Sequence, residues 1–389
     1  MEDSDSDSSG CKAPPRGGAI RLIHVIQSDV LTGGIIRFIE IFSRMPDVNI
    51  LILSDVKTIS NKTLLKHLRK LPKARVLAVK LPPNLPKTLR EACFALLVIF
   101  TALSSRRCID VAYSDENLRG VLAGFALRTL AKKPWICTFQ GLWEFSGLQK
   151  VLSHLTMKIS SHATAIVVPS QSVKEKLLRY ARKLADKVHV IESGIDPSLF
   201  KPMSLKKELD CIYVGRISWE KGIDVLLRAW SIVLKEKPDA KLGIVGDGGS
   251  QNSKLLRHLK GVYYYGWVDY EHVPQLLNKA KIFLCPSKGE TFCQSLLEAL
   301  ACGLLAITSR LDVFKRLWND AVVYVDLKPE LWAKAILELI HDGNGNSPKV
   351  RELACHFTWD KAANKMKIVL LKCLRGVASY DLDGCGRTS

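Results

Sequence analysis

The amino-acid sequence predicts an α/β protein of two Rossmann-like, doubly wound parallel-sheet domains facing each other across a cleft. Three observations carry this expectation. The chain has 389 residues, too long for one ordinary hydrophobic core. Apolar, β-branched runs alternate with helical patterns along most of its length, the rhythm of a parallel sheet covered on both faces. A turn-rich stretch, SGIDPSLFKP from Ser193 to Pro202, breaks the rhythm, and a second alternating series follows it.

In order along the chain, residues 1–18 are Asp/Ser-rich, then Gly/Pro-rich, with no apolar core. They read as a disordered tail, neither a signal peptide nor an anchor. Residues 19–193 form the first domain, with strands expected at 21–26, 49–54, 75–80, 110–113, 135–138, 165–169 and 188–192 and helices at 35–44 and 171–184 among others. Residues 194–203 are the expected hinge. The second domain, 204–357, has strands expected at 211–215, 241–246, 263–265, 282–285, 305–308 and 322–325, with helices at 223–235, 292–301 and 330–341. A last apolar helix, 358–375, is expected to cross back to the first domain, and 376–389 is a loose tail. Ligands of such sheets bind beyond the carboxyl ends of the strands, which directs attention to the cleft.

Hydrophobic residues make up 47% and charged residues 24%, a soluble, globular composition. The apolar run at 92–105 is too short to span a bilayer, which takes roughly 18 or more apolar residues. It reads as a buried helix or one lying on a membrane surface. Eleven cysteines are scattered without a CxxC pair, so zinc-type spacing is absent and reduced thiols are expected. The net charge is +19, and ten Lys/Arg with no acidic residue lie between Val56 and Arg90. Such a patch attracts anionic lipid headgroups, phosphorylated acceptors or nucleic acid. Specific nucleic-acid binding is not expected, because no recognised motif is present and the basic stretch lacks interleaved aromatics. An NAD-type site is disfavoured, since strand one is not followed by G-x-G-x-x-G.

Four motifs bear chemistry. Gly33 and Gly34 open the helix after strand one, where bare backbone and a helix N-terminus suit phosphate or simply a tight turn. Arg216 and Lys221, in VGRISWEKG, follow the second domain's first strand. Two cations at a strand's carboxyl end can hold a diphosphate and neutralise it as it departs. Gly246, in VGDGG, lies at the same predicted edge. Glu290 and Glu298 flank an apolar segment, eight residues apart. At ~100° per residue they project about 80° apart on a helix, so separate roles are expected rather than one acid/base dyad. Ionised carboxylates in such surroundings call for a polar guest, and a nucleotide-sugar with its hydroxyls is one.

Together these residues resemble the retaining glycosyltransferases of family 4, which have the GT-B fold. The similarity covers most of residues 20–375 and is densest over 188–309, through VIESGIDPSLFKP, VGRISWEKGIDVLLRA, GETFCQSLLEALACG and FTWDKAANKM. The resemblance implies transfer of a hexose from a nucleoside-diphosphate sugar to a hydroxyl acceptor, with retention and with neither cofactor nor metal. The acceptor is expected to be lipid-linked or part of a cell-surface glycan. By motif position, Arg216 and Lys221 would bind the diphosphate, Glu290 the donor sugar and Glu298 the ribose. Gly33, Gly34, Gly215 and Gly246 would approach the donor. The backbone amides of Thr291, Phe292 and Cys293 would face sugar or phosphate. The expected location is cytoplasmic, peripheral on the inner membrane face through the basic 56–90 region.

The chain departs from the family's pattern at several places. Gln140 stands in TFQG where relatives often carry His, and a neutral amide positions a hydroxyl without taking its proton. Gln140 is therefore an acceptor-side candidate. The usual Gly-Gly-x-x-Glu is replaced by RLDVFKR at 310–316, and Cys293 and Leu305 replace the usual Gly and Pro. A non-catalytic, glycosyltransferase-like subunit or sugar-nucleotide-binding protein is the competing expectation.

Overall fold

The computed structural model describes residues 19–26, 33–55, 62–79, 87–141, 147–249, 254, 256–342 and 348–376. Residues 1–18, the start of the glycine turn at 27–32, and parts of the basic stretch (56–61 and 80–86) lie outside the described residues, as does 377–389. The chain divides into two compact units. The first takes residues 1–169, 173–191 and 363–389; the second takes 170–172 and 192–362.

In the first unit, strands and helices alternate as β1 (Ile20–Val25), α1 (Gly33–Phe42), β2 (Val48–Asp55), α2 (Lys62–Leu68), β3 (Ala74–Val79) and α3 (Lys87–Ser104). They continue as β4 (Val111–Asp115), α4 (Leu118–Leu130), β5 (Trp135–Thr138), α5 (Gly147–Ser160), β6 (Ala165–Val168), α6 (Gln171–Tyr180) and β7 (Val188–Val190). The seven strands order as β3-β2-β1-β4-β5-β6-β7, and every pairing is parallel. The chain reverses its direction of progress between β1 and β4, so their carboxyl ends form this unit's switch point. Asn117 caps α4, its side chain accepting from the Gly120 amide at 2.8 Å, which places the turn after β4.

The second unit runs β8 (Leu209–Val214), α7 (Ile223–Glu236), β9 (Leu242–Val245), β10 (Val262–Gly266), α8 (Val273–Asn278), β11 (Ala280–Cys285), α9 (Gln294–Ala301) and β12 (Leu305–Ser309). After these come α10 (Asp312–Trp318), β13 (Val323–Val325), α11 (Pro329–Asp342) and α12 (Pro348–Cys355); the last helix, α13 (Trp359–Arg375), starts in this unit and from residue 363 belongs to the first. The sheet order β10-β9-β8-β11-β12-β13 repeats the topology, with the switch point between β8 and β11.

The period of a strand explains the layering. Along β11, Ile282 and Leu284 join the cluster of α7 and α11 around Trp230 and Trp332. The alternate residues Phe283 and Cys285 join Leu296, Leu297 and Leu300 of α9 on the other face. Helix α7 buries Val225, Leu226, Ala229, Trp230 and Val233, one helical stripe. Helix α9 stops where Gly303 takes φ 82. There Gly303 N–H donates to Leu300 O and Leu304 N–H to Ala299 O, a Schellman ending that needs glycine.

Eight cysteines among the described residues are free thiols. No helix among the described residues is long and apolar enough to cross a membrane.

Candidate active site

The second unit's switch point is made by the loops that leave β8 and β11. The first loop is pinned at its base, where the Tyr213 hydroxyl donates to Arg216 O at 2.6 Å. It then makes a short 3-10 turn, Trp219–Lys221. Gly222 closes the turn at φ 69, and a Cβ there would stand 1.8 Å from Pro286 O of the second loop. Only glycine permits that approach. The loops are also tied by Lys288 N–H donating to Glu220 O at 2.9 Å and by the Lys288 ammonium against Asp224 at 3.0 Å. That ammonium lies 3.7 Å above the Trp219 ring, a cation–π contact. Behind them, the Ser309 hydroxyl donates to Ser287 O at 2.5 Å.

This stitching brings Lys221 to Glu290. The ammonium meets Oε1 at 2.5 Å with the two side chains 22% and 7% exposed, and the Ser287 hydroxyl donates to the same oxygen at 2.8 Å. Burial works against the Lys221 charge, but the Glu290 carboxylate and nearby sulfurs outweigh it and hold the ammonium's pKa above its ordinary value. Arg216 is exposed on the same loop; the Glu220 carboxyl there is held low chiefly by a hydrogen bond from Ser218, with a smaller contribution from the Arg216 charge. Gly246 packs its backbone on Gly215, since a Cβ on Gly246 would be 1.9 Å from Gly215 O. The structure thus gathers Gly215, Arg216, Lys221, Gly246 and Glu290 at one sheet edge.

Helix α9 begins at Gln294, two residues later than the sequence pattern implied, because Cys293 sits at φ 72 in the left-handed region. Glu290 precedes the helix and Glu298 lies inside it, as the sequence pattern implied. The two carboxylates are separated by a loop and a turn of helix. The α9 N-terminus has no side-chain cap, leaving amides and a positive dipole end for an anion. The Phe292 ring is buried, edge-on to Trp318 and Phe357, so only its backbone can face a ligand. Thr291 is half-buried.

Glu298 is buried and accepts from the Gln294 amide at 3.1 Å; the same amide nitrogen donates to Gly194 O at 2.9 Å. Burial pushes the Glu298 carboxyl up to about 7, against the hydrogen bonds from Gln294 and Tyr270. Cys285 and Cys293, which no CxxC spacing reveals, bring their sulfurs to 3.6 Å. With Glu290 they form the one group among the described residues whose ligand atoms converge as a metal site would require, all within 4.8 Å. A groove of about 700 Å³ lies elsewhere, between α7 and α11, and contains none of these groups.

The first unit's switch point holds a second constellation. Gly34 opens α1 beside Gln140, where a Cβ on Gly34 would lie 3.2 Å from the Gln140 side chain; nothing lies within 4 Å of a Cβ on Gly33. Glu116, just past β4, accepts from the Gln140 amide N–H at 2.8 Å. The Gln140 side chain hydrogen-bonds Asp115, whose carboxyl burial raises to about 6. Burial, then the neighbouring Asp115 charge, pushes Glu116 to about 8. His24 is buried and pushed down to about 3 by that burial, hence neutral, and it stacks on Tyr113 and Phe38. The Asp115–Glu116 pair escaped the sequence reading because SDEN looks like an ordinary helix start.

These raised carboxyls make stability depend on pH. The folded chain keeps protons on Asp115, Glu116 and Glu298 that the unfolded chain has released, so raising the pH favours unfolding. Stability is expected to fall from about pH 4, where the unfolded carboxyls release their protons, to about pH 8, where the last of these groups ionises in the fold. Glu298→Gln and Glu116→Gln should each flatten the decline, Glu116→Gln over the wider window. Urea midpoints across that range check it; slopes unchanged from the parent would count against the burial argument.

Known proteins share this arrangement of elements. A model of the group 1 glycosyl transferases matches residues 196–353, and a model of glycosyltransferase family 4 matches residues 56–199. The chain belongs to glycosyltransferase family 4. Among relatives of this family 4 glycosyltransferase is a component of the phosphatidylinositol N-acetylglucosaminyltransferase of Arabidopsis thaliana, 26% identical over 313 residues, 75% of this chain and 68% of that protein. The human counterpart of that component is 26% identical over 56% of this chain and 47% of its own length. A GDP-mannose-dependent phosphatidylinositol dimannoside mannosyltransferase of Mycobacterium tuberculosis is 31% identical over 41% of this chain and 43% of its own. The chain thus spans about two thirds of the first relative and under half of the other two.

Solved structures give the fold. Anabaena HepE, in complex with UDP and glucose, matches at a TM-score of 0.74 and 16% identity over 90% of this chain and 99% of its own. Thermosynechococcus elongatus sucrose-phosphate synthase matches at 0.74 and 18% identity over 92% and 100%. The fold of this glycosyltransferase is GT-B, as the resemblance implied.

Proposed function

We propose that this glycosyltransferase moves a hexose from a nucleoside-diphosphate sugar to a hydroxyl on a membrane-associated acceptor, with retention and without a required metal. The observation that carries the reading is the Lys221–Glu290 pair at the β8/β11 switch point, with Arg216 exposed on the same loop. Arg216 and Lys221 are assigned to the diphosphate, Glu290 to hydroxyls of the donor sugar and Glu298 to the ribose. The amides of Thr291, Phe292 and Cys293 supply dipoles where the charge grows, with bare backbone at Gly215 and Gly246. In the first unit, Gly33 and Gly34 are assigned to phosphate approach and Gln140 to the acceptor hydroxyl.

Cleavage of the sugar–phosphate bond leaves the electron pair on the nucleoside diphosphate. Fixed cations and amides lower the cost of that charge without reorganising. Retention places the incoming hydroxyl on the face the diphosphate vacates, so a departing phosphate oxygen can take the hydroxyl's proton. The UDP and glucose bound by HepE support a nucleotide-sugar donor. The relatives' names support a phosphatidylinositol-type acceptor.

Surface features of the first unit support the membrane clause. On α3, Leu96 and Phe100 are 66% and 69% exposed and share a helical face four residues apart. Val151 and Leu155 of α5 and Val76 and Leu77 of β3 are exposed as well, as are Lys66, Arg69, Lys73 and Arg75. Apolar side chains beside cations suit an anionic bilayer surface. Flotation with anionic vesicles at low salt is expected, with release at high salt and weakened binding in Leu96→Ser/Phe100→Ser. Absence of binding at low salt removes the membrane clause alone.

Transfer and hydrolysis assays with UDP-, GDP- and ADP-sugars test the central reading. Turnover with one nucleotide class, abolished in Arg216→Ala, is expected. Specific thermal stabilisation by a nucleotide-sugar without turnover would favour the non-catalytic reading. Gln140 motivates that alternative, as does the 310–316 segment, which here forms the start of α10.

A further inference from the structure

We propose that Cys285, Cys293 and Glu290 form a binding site for a thiophilic divalent cation such as zinc, and that filling it takes Glu290 from Lys221 and stops transfer. The inhibitory clause rests on the donor role proposed for Glu290; the ligand set does not. All three residues belong to the second unit. Cys285 ends β11 and Cys293 precedes α9, so a strand end and a helix start fix their separation more firmly than a loop would.

The distances suit a metal better than the alternatives. Two thiolates about 2.3 Å from a tetrahedral ion stand about 3.8 Å apart, and these sulfurs are 3.6 Å apart. A disulfide needs about 2.05 Å between sulfurs, and so a movement of both anchored elements. The Glu290 carboxylate lies within 4.8 Å of both sulfurs and adds the hard ligand that zinc accepts beside thiolates. The Ser287 hydroxyl, 3.6 Å from the Cys285 sulfur and 2.8 Å from Glu290, or a water completes four-coordination.

The site is already built around a positive charge. The Lys221 ammonium sits on Glu290. Its partial exposure leaves it a route to solvent when a dication replaces it. On binding, each thiol releases its proton to solvent and two metal–sulfur bonds form. No oxidant is involved. Cys293 holds its side chain in this position at φ 72, a backbone state that L-residues rarely adopt.

Titration of the full chain with cobalt(II) reads the site directly, because thiolate ligation gives an intense near-ultraviolet charge-transfer band. One equivalent per chain is expected to produce the band and zinc to abolish it. Cys285→Ser and Cys293→Gly should each lose it, the latter folding readily because positive φ suits glycine, while Cys355→Ser keeps it. No band in the parent chain, or a band surviving in Cys285→Ser/Cys293→Gly, overturns the proposal. Zinc should suppress transfer at least tenfold in the parent and far less in Cys285→Ser, each relative to its own zinc-free rate. A cobalt site without any turnover on any donor would sink the transfer reading and leave the site standing. A cobalt site with zinc-insensitive transfer would overturn the inhibitory clause.

Discussion

Replacing Lys221 by Met is expected to lower kcat/KM for transfer by about 10²–10³-fold, with most of the loss in kcat. On the proposed reading the ammonium faces the place where the departing diphosphate would gather charge, so its contribution would be largest at the transition state. The same substitution strands Glu290, which is 7% exposed, with the Ser287 hydroxyl as its remaining side-chain partner among the described residues. Leaving one member of a buried pair uncompensated costs about 3–5 kcal/mol, discounted here because Lys221 reaches solvent. Glu290→Gln should show the converse, losing donor-sugar contacts and leaving a half-buried ammonium. The double variant Lys221→Met/Glu290→Gln separates the two effects. Urea unfolding should show it recovering much of the stability lost by either single variant, a coupling of about 1–3 kcal/mol, while transfer stays at the lower level. Activity near the parent's in either single variant would refute the placement of the diphosphate here.

Gly222→Ala is expected to be the most damaging substitution that deletes no functional group. Its φ of 69 already costs an L-residue about 1–2 kcal/mol. The new Cβ, 1.8 Å from Pro286 O, forces the β8 and β11 loops apart by more than an ångström. The backbone bond between Lys288 and Glu220 and the Lys221–Glu290 contact then fail together. A total loss of about 3–5 kcal/mol follows, with activity lost even in whatever fraction remains folded. Gly33→Ala is the contrast, because nothing lies within 4 Å of its Cβ position. It should be neutral or stabilise α1 by up to about 1 kcal/mol, and it should raise the donor KM if that backbone meets phosphate. Thermal melts and steady-state kinetics on the two variants distinguish a packing glycine from a ligand-facing one.

The strands were legible because their period and boundaries are local. Ile282 to Cys285 could be read as buried on both faces from composition alone, and it is. Two helix ends were not. The segment expected to run as one helix from 171 to 184 leaves helical geometry at Ala181, φ −150, and continues as a 3-10 turn. The start of α9 shifted because Cys293 adopts a positive φ, which a cysteine does not advertise. Arg216, Lys221 and Glu290 were legible as loop residues after strands. Their mutual contact depends on Gly222, Pro286 and Lys288, whose fit exists only in three dimensions. The same holds for Asp115 and Glu116, where Asn117 supplies a cap that fully accounts for the local sequence. The cysteine pair spans a strand end and a helix start, an interval no short ligand spacing describes.

Lys288, clamped between Asp224 and the face of Trp219, ties the two loops together through the protein's own side chains. Within the loops so joined, Glu290 is satisfied by Lys221 and Ser287, and an arriving molecule must offer something in exchange. On the proposed reading, a nucleotide lacking its hexose would engage Lys221 but give Glu290 no hydroxyl, whereas the intact donor would give both a substitute. Product and substrate would then differ in grip at the sugar end, a bias that favours release of the spent nucleotide after each turnover.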